Sequence, residues 1–215
     1  MEVAVKPKIT IIIPLLPKEE NKEKIEQHLK QILPEKVDFI LSCPDPPGNR
    51  AYALNKGAEK ASGEFLWFLH SDSILDSSHV LYLLDSIEKY PERMHYFLLE
   101  FFPSSLRMKF NSIGANLRSK ILGCPYGDQG LCVKKDIFHS IGGYPEDQKY
   151  GEDHVFVWRA RQRGIKLNMI PLYLQTSDRK YRLNGWFKIT LLHQFLFWKQ
   201  MLPELKEYIF KRKIT

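Results

Sequence analysis

Glu64-Phe65-Leu66-Trp67-Phe68-Leu69-His70-Ser71-Asp72-Ser73 opens with a charge, runs through five apolar residues without alternation, and breaks into four polar ones. A short run apolar at every position reads as a strand buried on both faces, as in a parallel sheet covered by helices. Asp72 then stands just past the carboxyl end of that strand. Working outward, Lys8 to Pro14 is a second buried strand, β-branched and stopped by proline, and Val37 to Ser42 a third. Glu19 to Leu33 and Arg50 to Ala61 are the helices between them. Downstream, a helix capped by Ser77 or Ser78 runs to about Tyr90, and Met94 to Phe102 is a strand. Ser105 to Leu122 is a single helix, and Gln129 to Val133 a strand. Asp136 to Ile141 is a short helix closed by glycines, Asp153 to Arg163 a helix, and Lys166 to Gln175 the last strand. The alternation predicts an α/β domain with a mixed, mostly parallel sheet flanked by helices.

Composition agrees. A chain of 215 residues, 44% hydrophobic and 27% charged, suits one globular domain that buries roughly 70% of its unfolded surface without staples. Cys43, Cys124 and Cys132 show no CxxC spacing, which predicts a reduced, cytoplasmic chain without a zinc site. No stretch reaches the ~20 apolar residues that span a bilayer. The net charge is +7, and nine basic against three acidic residues lie from Asp178 onward. Charge gathered in a tail argues against a nucleic-acid-binding face and for an anionic membrane surface, a phosphorylated substrate or solubility.

In open α/β sheets, ligands bind beyond the carboxyl ends of the strands. Asp72 sits there, where a carboxylate needs a partner; a divalent cation bridging phosphates is one, a helix-capping role another. Glu152 and Asp153 open a helix, where the macrodipole favours them and where a carboxylate also suits proton abstraction from a hydroxyl. Arg50 and Asn55 flank a helix of small residues that follows Gly48.

Together "ITIIIPLLPKEE" (9–20), "GNRAYALNKGAEKASGEFLWFLHSDS" (48–73), "YGDQGLCVKKDIFHSIGGYP" (126–145) and "GEDHVFVWRARQRG" (151–164) resemble glycosyltransferase family 2, in particular short bacterial members with His-x-Asp in place of Asp-x-Asp. The resemblance implies a GT-A fold over 1–183, with 184–215 a helical extension packed on it. It implies an inverting transferase moving a sugar from a UDP- or GDP-sugar, with Mg²⁺ or Mn²⁺ held by Asp72. Asp153 would be the general base, preceded by Glu152. Pro14, Asp45, Arg50, Asn55, His70 and Arg179 would line the nucleotide, and Asp128 and Gln129 the acceptor and donor sugar. Three departures stand out. Leu16-Pro17-Lys18-Glu19-Glu20 replaces the usual asparagine-glutamate pair after the first strand, Ser42-Cys43-Pro44-Asp45-Pro46-Pro47 replaces an aspartate-glycine-rich loop and leaves only Asp45 to read the base, and Ala53 stands where a glutamine is expected. A degenerate relative that binds a sugar nucleotide or a protein without turnover is the alternative. A nucleotidyltransferase is disfavoured, because no glycine-rich basic loop follows the first strand.

The segment 184–213 is apolar nearly all round as a helix, up to Pro203, where a second helix is expected to begin. Such a helix is expected to be buried on more than one side. Packing within its own domain, a homodimer and peripheral contact with an anionic membrane are the three readings, the last suited to a lipid-linked acceptor.

Overall fold

The computed structural model describes residues 8–15, 21–43, 48–148 and 150–212. Six strands form one sheet: β1 (Ile9–Pro14), β2 (Val37–Ser42), β3 (Phe65–Phe68), β4 (Met94–Phe102), β5 (Cys132–Lys134) and β6 (Leu167–Ser177), in the order β2-β1-β3-β5-β4-β6. Only β5 is antiparallel to its neighbours, so five carboxyl ends share one edge. The mostly parallel α/β sheet is as expected.

The apolar runs are sorted by the pleat. Ile9, Ile11 and Ile13 of β1, with Phe65 and Trp67 of β3, enter one core under α1 (Lys22–Ile32) and α3 (Ser77–Lys89). Ile12, Leu66 and Phe68 enter the other, under α2 (Arg50–Lys60), α5 (Lys135–Ile141) and α6 (Glu152–Gln162). Each fully buried large side chain contributes about 1.5–3 kcal/mol. Gly63 lets the chain enter β3 tightly against β1: a Cβ there would lie 2.5 Å from the Thr10 amide nitrogen. The edge strand β6 carries Pro171 where the β4–β6 register shifts, a place where a missing ladder donor is tolerated.

Four local expectations are corrected. The cap of α3 is Asp76, which accepts from the Ser78 and His79 amides, rather than Ser77 or Ser78. A carboxylate one residue earlier, with His79 closing the capping box, gives the better cap. The helix expected over 105–122 divides: α4 (Leu106–Leu117) widens into a π-helical turn, Arg118–Leu122, before Gly123 at φ 61°. Gln129 lies in a 3₁₀ turn, Gly127–Gln129, and not in a strand. After the short α7 (Arg179–Asn184), Pro203 does not start a new helix. It lies inside α8 (Trp186–Arg212), whose Met201, Leu205 and Tyr208 on both sides of the proline pack in one cluster with Trp158 of α6. Packing there holds the helix through the lost hydrogen bond. One side of α8 is buried, the side of Ile189, Phe197 and Met201, while its other apolar face is open.

Candidate active site

Three elements deliver charged groups to the carboxyl edge of the sheet. The turn after β3 brings His70 and Asp72, α2 starts with Arg50, and α6 starts with Glu152 and Asp153. The 3₁₀ turn runs between them. A Cβ on Gly127 would lie 2.7 Å from Arg50 Nη2, 2.9 Å from His70 Nε2 and 3.1 Å from Asp153 Oδ2. Three chemical groups thus converge on one backbone position that only glycine leaves open.

Asp153 is fully held. Its Oδ2 accepts from the Gly127 amide at 2.7 Å and its Oδ1 from the His154 amide at 2.8 Å, with Arg50 Nη2 3.7 Å away. Burial opposes its ionisation, but the Arg50 guanidinium and the Gly127 donor outweigh it, so the carboxyl titrates below its usual range. Glu152 goes the other way: burial and the neighbouring Asp153 charge raise it, against the pull of Arg50. Arg50 Nε lies 2.8 Å from Glu152 Oε1, an ion pair whose N–H misses a straight hydrogen bond.

His70 Nε2 is shut off from solvent without a hydrogen-bond partner. Burial, and then the Arg50 charge, hold the imidazole far below its usual value, so it is neutral at pH 7. Asp72 accepts a long hydrogen bond, 3.3 Å, from the Thr176 hydroxyl, and burial raises its carboxyl. Asp128 Oδ1 is buried and unpartnered, and burial pushes this group up to about 6, with Arg118 as the largest opposing charge.

Among the described residues no group of three or more His, Cys, Asp and Glu side chains is arranged to hold a metal. The donor set nevertheless fits a cation carried mainly by substrate oxygens, since Mg²⁺ typically takes one or two carboxylates plus phosphates. Asp72 is such a carboxylate, half-buried and short of positive partners.

A sequence profile described as "Glycosyl transferase family 2" matches residues 22–125. The match takes in just under half of the chain, which over that segment is similar to glycosyl transferase family 2. No curated protein matches it. Among solved structures it is similar to S. aureus TarS, at 13% identity and TM-score 0.59, covering 79% of this chain and 36% of that one. TarS 1–349 in complex with UDP-GlcNAc gives 14%, TM-score 0.55 and coverage of 80% and 58%. The mannosyltransferase PcManGT from Pyrobaculum calidifontis, in complex with GDP-Man and Mn²⁺, gives 14%, TM-score 0.60 and coverage of 79% and 56%. The chain therefore spans well under two thirds of each, and at these identities the likeness is one of fold.

Not every expected residue faces the cluster around Gly127. Asn55 is committed to the fold: its amide donates to the Tyr144 carbonyl at 2.9 Å and to Glu146 Oε1 at 2.7 Å, and accepts from the Tyr144 amide at 2.9 Å. Gln129 is wholly buried, bonded to the Ser119 hydroxyl, the Tyr126 amide and the Phe97 carbonyl. It pins the 3₁₀ turn from beneath. Pro14 closes β1 half-buried, Arg179 opens α7 exposed to solvent with its charge felt at Asp72, and Asp45 lies outside the described residues.

Two cations at the site escape motif reading. Arg118, in the π-helical turn, stacks 3.6 Å over the Tyr126 ring, donates to the Cys124 carbonyl, and acts on Asp128. Lys180 Nζ donates to His193 Nε2 at 3.0 Å, and the Tyr181 hydroxyl meets Nδ1 of the same ring at 3.1 Å. Burial, then the Lys180 charge, push His193 down to about 4, so the ring is neutral and able to accept from the lysine. The available signal was position: both cations fall within two residues of a strand or helix boundary at the site edge.

Proposed function

We propose that this domain is an inverting, metal-assisted transferase that moves a sugar from a nucleoside-diphosphate sugar, UDP- or GDP-linked, to an acceptor hydroxyl. The convergence of Arg50, His70 and Asp153 on Gly127, with Asp72 at the neighbouring strand end, carries the reading. Asp153 takes the hydroxyl proton on a lone pair not used by its two amide donors, and the oxygen attacks C1 from the face opposite the diphosphate. One displacement with one base inverts the anomeric centre. Glu152 holds Arg50 against this carboxylate and keeps it ionised. Asp72 would hold Mg²⁺ or Mn²⁺, which when bound neutralises charge on the leaving diphosphate. Arg179 faces the same phosphates. Pro14 and Asp45 border the base, neutral His70 the nucleotide, and Asp128 the sugars. Residues 184–215 are read as an extension of this one domain.

The internal hydrogen bonding of Asn55 and Gln129, expected contacts of the nucleotide and the sugars, favours the second reading, a degenerate domain that binds a sugar nucleotide or a protein partner without turnover. A thermal-shift panel of UDP- and GDP-sugars, with and without Mn²⁺, separates the possibilities. A ligand at a hundred times its Kd adds ~2.7 kcal/mol. Mn²⁺-dependent stabilisation with release of nucleoside diphosphate supports transfer; stabilisation without release supports the binding-only domain. No response to any nucleotide overturns both.

A further inference from the structure

Two helices of the domain turn apolar stripes to solvent. On α4 and its π-helical turn, Leu106, Phe110, Ile113, Leu117 and Ile121 recur at helical spacing and are 51% to 76% exposed. On α8, Phe187, Leu191, Phe195, Trp198 and Leu202 do the same, at 50% to 67%. A stripe of this kind on a helix of a water-soluble fold belongs against a core. Here the core-facing side is a different one: Met108 and Ser112 on α4, Ile189, Phe197 and Met201 on α8.

The two stripes lie on one side of the molecule. Arg107 sits over the Trp186 ring at 5.8 Å, and Asn111 donates to the Thr190 hydroxyl at 3.4 Å, so positions 107 and 111 meet 186 and 190 in the same direction and the helices run parallel. At about 100° per residue, the α4 stripe lies about 100° from this contact in one rotational sense, and the α8 stripe about 100° in the opposite sense. For parallel neighbours, opposite senses bring both stripes to the same face. Lys109 and Lys120 then fall along the edge of α4 away from α8, and Lys188 and Lys199 along the edge of α8 away from α4, all exposed.

The charge selects the occupant. Residues 104–123 and 179–203 contain nine basic residues and no acidic one, against +7 for the whole chain, so the remainder is net negative. A second copy paired across a two-fold axis would set this basic face against itself. No helix among the described residues is long and apolar enough to cross a membrane. We propose that the α4–α8 face docks on an anionic lipid surface, its aromatic and aliphatic side chains entering the headgroup boundary between two rows of lysines. α4 follows the carboxyl end of β4, and α8 follows that of β6 through α7. The face is independent of the transfer reaction, and its test reads binding alone.

The full chain is sedimented with vesicles of phosphatidylcholine alone and of phosphatidylcholine mixed in equal parts with phosphatidylglycerol, at low and high salt. Binding to the anionic vesicles is expected, weakened by salt, with little binding to the neutral ones. Lys109→Gln and Lys120→Gln should each lower the partition coefficient about fivefold. The double variant Phe110→Glu/Phe195→Glu should abolish binding with an unchanged thermal midpoint, since both side chains are exposed. Absence of binding to anionic vesicles overturns the proposal, as does binding that survives this double variant. A dimer mass in solution that the same variant dissociates, without vesicle binding, assigns the face to a second copy instead.

Discussion

The turn after β3 and the first turn of α6 each present an aspartate to the same edge of the sheet, and the fold treats them oppositely. Asp153 has two backbone donors and an arginine, and titrates below its usual range. Asp72 has one long hydroxyl bond, and burial raises it. Burial alone would raise both; positive partners reverse the sign at one of them. The protein has finished one carboxylate and left the other short of positive charge. The contrast suits the proposed roles, in which a base is held before substrate arrives and a metal-binding group is completed by its ligand.

Four experiments bear on this contrast. The largest effect is expected from Asp153→Asn, which should lower turnover by about 10² to 10⁴ with donor affinity little changed. Steady-state kinetics read this, and retention of most activity would reduce Asp153 to an ordinary helix-terminal carboxylate. Next comes Arg50→Ala, which strands two buried carboxylates. Breaking a buried pair costs about 3–5 kcal/mol, and the partial exposure of Arg50 reduces this to about 2–3 kcal/mol in urea unfolding at pH 7.

Asp72→Asn and Asp128→Asn should act with the opposite sign. In both, the folded-state pKa lies above the unfolded one, so the folded state holds the proton more tightly and loses stability as pH rises through the interval. For Asp128 that interval runs from about 4 to about 6. Without ligand, each Asn variant should match the parent below about pH 4 and exceed it at pH 7, by on the order of 2 kcal/mol for Asp128→Asn. Asp72→Asn should also lose Mn²⁺-dependent nucleotide binding. An Asp72→Asn protein less stable than the parent at pH 7 would place this carboxylate with Asp153. The smallest effect is expected from Gly151→Ala, about 1 kcal/mol by thermal unfolding, because the residue has φ 76° and a Cβ would collide with the Gln200 amide.

The parts of the site that were readable from sequence are those tied to an abrupt change of pattern. The polar break after Phe65–Leu69 located Asp72, and the paired acids before Val155 located Asp153. The sequence does not show that Asn55 and Gln129 fasten loops, because a polar residue in a motif reads the same whether it faces a ligand or a neighbouring backbone; their hydrogen bonds to Tyr144 and to Phe97 come from the fold. Arg118 was hidden because its place depends on the wide π-helical turn. The α4 stripe recurs at helical spacing, and periodicity does not say which face meets the core. Here Ser112 and Ser119 lie inward beside Met108, while Leu106, Phe110, Ile113 and Leu117 lie outward. Pro203 marked a helix boundary by local rules and was overruled by packing on both its sides.

Gln200 lies on α8, and its amide donates to the Tyr150 carbonyl at 2.6 Å, immediately before the glycine that opens α6. The helix that bears an apolar stripe outward thus also ties down the turn from which Asp153 projects. The tie is double: the Gln200 amide holds the backbone before Gly151, and Phe197 of the same helix stacks on His154, the residue after Asp153.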